Sequence, residues 1–306
     1  MLAAPARTRS IDAVTPRAWL LFALSSVIWG VPYFFIKVAV DAGVPPAFVA
    51  WARVALGAVL LLPVALRRGA LRGLGGRERG WPIAAYAACE IAVPFVLISV
   101  GEQYITSSLT AILIATMPLL VALLSVRFSP ADKPTGLRVV GLVVGLGGVV
   151  AVLGLDVAGR PAELLGAALV LVATLGYAAA PIIVSKRLAD LDPLGPVAAS
   201  LMLSTIALLP AALSRPLHGI PGSAALLALV VLGVVCTALG LVVFFQLIAE
   251  AGPNRASLIT YVNPLVAVAV GVVALHEHVG AATLTGLLLI LVGSWLAAGG
   301  RVEQHA

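Results

Sequence analysis

Two ionisable side chains, Arg53 and Glu90, stand inside otherwise apolar stretches of this chain, and chemistry is sought there first. An ionised group at mid-bilayer costs about 2.5–3.5 kcal/mol even on the lenient insertion scale, so it implies a ligand, a proton or a partner. At about 1.5 Å of rise per residue, Arg53 lies roughly 10 Å from the outer end of its span and Glu90 roughly 12 Å from the inner end of the next. Their depths differ by less than about 10 Å in a hydrocarbon layer about 30 Å thick, which makes them candidates for an ion pair, direct or through water. A carboxylate in that setting is also the residue type a proton carrier needs.

A second polar set lies near the C-terminus. Ser257, Thr260, Tyr261 and Pro264 fall within about 100° of one another at 3.6 residues per turn, with Asn263 just to one side. Trp29 and Tyr33, one turn apart, and Phe244, Phe245 and Gln246 offer an aromatic wall. The candidate substrate-binding or coupling residues are therefore Glu90, Arg53, Tyr261, Thr260, Ser257, Asn263, Gln246, Trp29 and Tyr33. Pro32, Pro94, Pro118, Pro181 and Pro264 each remove a backbone hydrogen bond from a span and mark bends, the candidate hinges.

The elements that hold these residues follow from composition. With 61% hydrophobic and 10% charged residues, the 306-residue chain has too little polar surface to coat a soluble globule. Its mean hydropathy of +1.13 agrees. Ten windows, near 18–37, 46–66, 82–100, 107–127, 136–154, 163–184, 193–213, 224–248, 256–275 and 281–300, are long enough to cross a bilayer. They are continuous rather than alternating in hydropathy, so the expected fold is an all-α integral membrane protein and not a barrel.

The chain also reads twice. Pro46 and Pro63 recur as Pro193 and Pro210, Pro94 and Pro118 as Gly240 and Pro264, and Gly141 and Gly148 as Gly286 and Gly293. Each copy holds five spans, an odd number, so the second enters the membrane inverted relative to the first. The expected organisation is a tail over 1–17, repeats over 18–155 and 156–300, and a tail over 301–306. Arg53 maps onto Ser200 and Glu90 onto Cys236, and the apolar face Ala111, Ile114, Ala115 and Pro118 stands where the polar stripe of the ninth span would fall. Scaffold features are shared between copies; a polar group present once points to a ligand or a proton.

The net charge of +6 comes from loop residues. With the N-terminus inside, Arg7, Arg9, Arg17, Arg67, Arg68, Arg72, Arg77, Arg79, Arg127, Lys133, Arg138, Lys186, Arg187, Arg255 and Arg301 share the cytoplasmic side. Only Lys37, Arg160 and Arg215 lie outside, so both termini are expected in the cytoplasm. This distribution anchors loops at a lipid surface and argues against nucleic acid. The run after Arg17 continues to Lys37 without a small-residue cleavage site and reads as a membrane helix rather than a signal peptide. The excess of Arg and Ala over Lys and Ile suggests a GC-rich bacterial genome and hence the bacterial plasma (inner) membrane.

No serine-hydrolase elbow, His-Glu-x-x-His, P-loop or Gly-x-Gly-x-x-Gly is present, so no enzyme is indicated. Cys89 and Cys236 lie within spans and read as packing residues. Gly141 and Gly145 put small residues on one helix face, for packing within the chain or for a dimer seam, leaving monomer and homodimer open. Glu102 and His276-Glu277-His278 read as solvated span ends, and the latter lacks the fourth ligand of a zinc site. No metal or other cofactor is expected.

Trp29-Gly30, Pro46 with Arg53, Pro118, Asn263-Pro264 and Glu277 resemble the EamA-type drug/metabolite transporters, over about 18–300 as two tandem five-helix domains. Asp132 replaces the glutamate usual after the fourth helix. The resemblance implies alternating access around a central cavity and export of small metabolites, amino acids or drug-like compounds; the proton is a candidate coupling ion on account of Glu90. A phosphate- or nucleotide-sugar-type antiporter of the same superfamily is the alternative, though the ninth span carries no cation beyond Arg255. A non-transporting membrane protein, an intramembrane enzyme or a scaffold, is the remaining class.

Overall fold

The computed structural model describes residues 15–128, 136–154, 159–215, 217 and 219–298. Arg7, Arg9, Asp132, Lys133 and Arg301 lie outside them. Among the described residues ten apolar helical spans follow in order: α1 (Pro16–Asp41), α2 (Pro46–Arg68), α3 (Glu78–Gly101), α4 (Ser107–Leu124), α5 (Gly136–Val152), α6 (Pro161–Arg187), α7 (Leu194–Ser214), α8 (Ser223–Ala251), α9 (Pro253–Leu275) and α10 (Ala281–Ala297). Eight are long enough to cross a membrane alone; α5 and α10, at 17 residues each, are shorter. Start signals are local. Thr15 and Thr106 cap α1 and α4, their hydroxyls accepting from Ala18 N and Leu109 N at 3.1 Å.

Five spans are interrupted where the cavity forms, α9 among them at Ser257–Leu258. α1 breaks at Val31, because Pro32 has no N–H to give to the preceding turn. α4 breaks over Ala115–Thr116, just before Pro118. α3 and α8 instead widen into π-helical segments, Ala87–Ala92 and Val231–Leu239. These two segments occupy equivalent places in the two repeats and carry Glu90 and its counterpart Cys236, so the repeat extends to a local backbone defect. Of the other expected bends, Pro94 follows the π segment of α3, whereas Pro181 and Pro264 lie within unbroken helix. A helix in lipid tolerates a proline when neighbours and local adjustment re-satisfy the freed carbonyl.

The two halves interlock. α2 packs on α7, α4 on α9 and α5 on α10, while α3 packs on α6 as α8 does on α1. Exchanging each span with the one five later maps this pattern onto itself. The expected glycine face belongs to the α5/α10 seam: a Cβ on Gly148 would fall 2.8 Å from Gly286 O and 2.9 Å from Ile290 N. The Gly141 face is likewise filled by Gly293 and Ala297. This corrects the dimer-seam alternative, because the small residues are consumed by backbone approach within one chain.

One face of the bundle is basic. There Thr15 Oγ1 donates to Glu250 at 2.8 Å, and Arg79 donates to Asp190 at 3.0 and 2.6 Å and to the Arg187 carbonyl. The Arg79 side-chain hydrogen bonds hold the Asp190 carboxyl below the usual carboxylate range.

Candidate functional site

A cavity of ≈ 380 Å³ lies between the halves. It runs from Ile36 and Ile98, both almost fully buried, towards Pro181 and Ser257, which are exposed on the basic side. Its lining is thus exposed towards the basic face and buried at the other, which is called the closed face below. Arg53 and Glu90 are the charged residues among those that line it.

These two do not pair. Arg53, on α2, gives its Nε–H to Thr237 Oγ1 at 3.0 Å and places its guanidinium carbon 3.9 Å from the Phe95 ring centre. Thr237 in turn donates its hydroxyl to Leu232 O at 2.8 Å, five residues back within the π segment of α8. Close approach of α2 and α8 makes this bond short enough: a Cβ on Gly57 would lie 2.7 Å from the Thr237 methyl carbon. The expected Arg53–Glu90 ion pair is thus corrected. Both side chains line one cavity, and the direction in which Arg53 points is fixed by a threonine on the opposite repeat. Glu90 remains half-buried in the cavity wall with no ion pair among the described residues.

The aromatic wall forms in part. Trp29 donates through Nε1 to Cys236 O at 3.2 Å and its ring centre lies 4.6 Å from that of Phe244. Tyr33 lines the cavity one turn further along α1. Phe245 packs instead in the core beside α2 and α7, and Gln246 is exposed on the outer surface of α8. Placing Gln246 at the site is corrected, because only the Phe244 face of α8 meets α1.

Of the polar stripe on α9, Ser257, Thr260 and Pro264 line the cavity, and Asn263 joins them. With its amide turned to donate, Asn263 Nδ2 lies 3.1 Å from Ser26 O and 2.9 Å from Ile259 O. Tyr261 is absent from the lining, a correction with a local cause. Leu258, Thr260 and Tyr261 donate three residues back rather than four, to Arg255, Ser257 and Leu258. Such a tightened turn advances each side chain by about 120° instead of 100°, which carries Tyr261 off the face that regular helix would give it.

Sequence reasoning missed Tyr86, Tyr177 and Thr237, all in the cavity wall. Tyr86 lies one turn before Glu90 and Tyr177 one turn before Pro181, so proximity to the residues already singled out was the available signal. For Thr237 there was none, since its role depends on α2.

The closed face corrects two further expectations. Glu277 is no solvated terminus. Its carboxylate caps α4, accepting from Ser107 N at 2.7 Å, Ser107 Oγ at 2.9 Å, Ser108 N at 2.9 Å and the Ser108 hydroxyl. A left-handed turn at His276 (φ 53°) swings it back over Gly271. Glu102 is fully buried. Lys37 reaches its main-chain oxygen at 2.8 Å and Asp41 Oδ1 at 3.1 Å. No cluster of three metal-ligating side chains occurs among the described residues.

The sequence profile of the EamA-like transporter family matches residues 16–154 and 164–299. The chain is 28% identical over 278 residues to the "Uncharacterized transporter YvbV" of Bacillus subtilis, covering 90% of this chain and 89% of that one. It is 29% identical over 254 residues to the "Uncharacterized inner membrane transporter YedA" of Escherichia coli K12, covering 82% and 80%. A crystal structure aligns over 94% of this chain and 99% of its own with a TM-score of 0.63 at 19% identity, which extends the likeness to the fold. With two tandem profile matches spanning its ten membrane helices, the chain belongs to the EamA-like transporter family.

Proposed function

We propose that the chain is a secondary active transporter of the bacterial inner membrane that exports small organic solutes by alternating access, with Glu90 binding a proton or a cationic group of the substrate. One observation carries this reading: the cavity between the repeats holds two opposite charges that are not spent on each other. An anion and a cation held apart across a weakly polar, aromatic-walled space suit a zwitterion such as an amino acid, or an amine or drug-like molecule with a separate acceptor. The basic face is the cytoplasmic one under the positive-inside rule, so the cavity described above faces the cytoplasm, where an exporter loads. Both termini are then cytoplasmic.

The test is uptake and efflux in proteoliposomes. A toxicity screen of amino acids and antimicrobials in cells with and without the protein selects the substrate. Glu90→Gln, nearly isosteric and neutral, is expected to abolish concentrative, pH-driven transport while the protein stays inserted. Gln246→Ala, off the cavity, is expected to leave transport intact. Uphill export by the Glu90→Gln protein with unchanged pH dependence refutes the role of Glu90; no flux of any screened solute by the unaltered protein refutes the transporter reading.

A further inference from the structure

The closed face holds a carboxyl group for which the reading above has no use. Glu102 follows α3 one turn beyond the cavity-lining Ile98, is 0% exposed, and neither carboxylate oxygen has a hydrogen-bond partner among the described residues. The cations near it are engaged elsewhere: Lys37 by the Glu102 main chain and Asp41, Arg53 by Thr237 and Phe95. Glu277 adds a second carboxylate, whose own charge is met by the four donors of Ser107 and Ser108. Lys37, Glu277, Asp41 and Arg53 are the charged groups that act on Glu102, and Tyr33 is its neutral titratable neighbour. A bare carboxylate removed from both water and donors is the costly state, and one bound proton removes that cost.

We propose that Glu102 is a proton-binding site whose occupancy decides whether the face capped by Glu277 closes. In the closed arrangement one Glu102 oxygen carries a proton. When Glu277 leaves Ser107 and Ser108, water reaches the carboxyl, the proton passes to that water, and the hydrated carboxylate opposes reburial. The charge changes from negative to neutral on closing, and the covalent frame is untouched. Gly271 is part of the device, since a Cβ there would fall 2.5 Å from Ser108 Oγ and would also strike the Glu277 carboxylate. The site is separate from Glu90 and at the other end of the cavity. It rests on the alternating-access reading, because it requires a second state with this face open. The sign follows: a group protonated only when closed favours closure at low pH on that face, and the preference is lost as pH rises.

The experiment places a cysteine at Ile98, the cavity's closed end, in intact cells. A membrane-impermeant methanethiosulfonate reagent is applied outside from acidic to alkaline medium. Peptide mass spectrometry reads position 98 apart from Cys89 and Cys236, and Tyr104→Cys, at a residue 40% exposed, normalises thiol reactivity. Labelling at position 98 is expected to rise several-fold with external pH. Glu102→Gln is expected to hold it low throughout, and Glu277→Ala to raise it at every pH. If Glu102→Gln fails to accumulate, Glu102→Asp replaces it and is expected to shift the midpoint of the rise. An unchanged pH response in either Glu102 variant, with Glu277→Ala still opening the face, overturns the Glu102 assignment alone. No labelling of position 98 in any variant overturns the alternating-access reading and this proposal together.

Discussion

Arg53 gives the sharpest quantitative test, because two neighbours compete for it. Had it been paired with Glu90, removing either charge would cost about 3–5 kcal/mol by stranding the other, and removing both would restore most of the loss. The structure assigns Arg53 to Thr237 at 3.0 Å and to Phe95 at 3.9 Å instead. Arg53→Gln then loses a charged hydrogen bond of about 1.5–3 kcal/mol and a desolvated cation–π contact of about 2 kcal/mol. Against this, it removes a membrane-buried charge that costs about 2.5–3.5 kcal/mol. The net effect on stability is expected to be a loss of about 0–2.5 kcal/mol, the difference of those terms. The informative quantity is the coupling. A double-mutant cycle of Arg53→Gln with Glu90→Gln is expected to give under about 0.5 kcal/mol, the additivity of sites without a shared bond. The cycle of Arg53→Gln with Thr237→Val is expected to give about 1.5 kcal/mol or more. Both are measurable from unfolding of the purified protein in detergent by added dodecyl sulfate, followed by tryptophan fluorescence. A larger coupling to Glu90 than to Thr237 would refute the assignment and return Arg53 to the ion pair.

Two further outcomes follow from the packing and the loops. Gly148→Ala is expected to lower the unfolding midpoint by about 1–3 kcal/mol of overpacking, whereas Gly147→Ala, with nothing within 4 Å, is expected to be neutral or to stabilise α5 by up to about 1 kcal/mol; equal effects would sink the seam. Arg79→Gln is expected to return the Asp190 carboxyl to the ordinary carboxylate range in a carboxyl-carbon NMR titration. Because that carboxyl is held low in the folded protein, its contribution is present above the ordinary range and fades as pH falls through the lowered value, and high salt should weaken it.

Much of this protein is fixed by residue type and order. Continuous apolar windows can only become helices in lipid, since every backbone group must be satisfied within its own span. Ten of them in two matched sets of five made the membrane fold and the family resemblance legible from the chain alone. Charges confined to one repeat, Arg53 and Glu90, could likewise be picked out, because an ionisable group in hydrocarbon is conspicuous wherever it points. What the sequence could not carry was direction and partnership. Arg53 turns to Thr237 because that hydroxyl is held on the π segment of the other half by its own bond to Leu232 O and Gly57 lets α2 approach. Tyr261 leaves the cavity because one turn of α9 tightens. Glu277 and Glu102 look like solvated span ends in one dimension, yet one caps a helix of the other repeat and the other buries a carboxylate that has no hydrogen-bond partner among the described residues. Helical periodicity assigns faces only while the turn is regular, and a hydrogen bond between residues more than a hundred positions apart exists only once the two halves interlock.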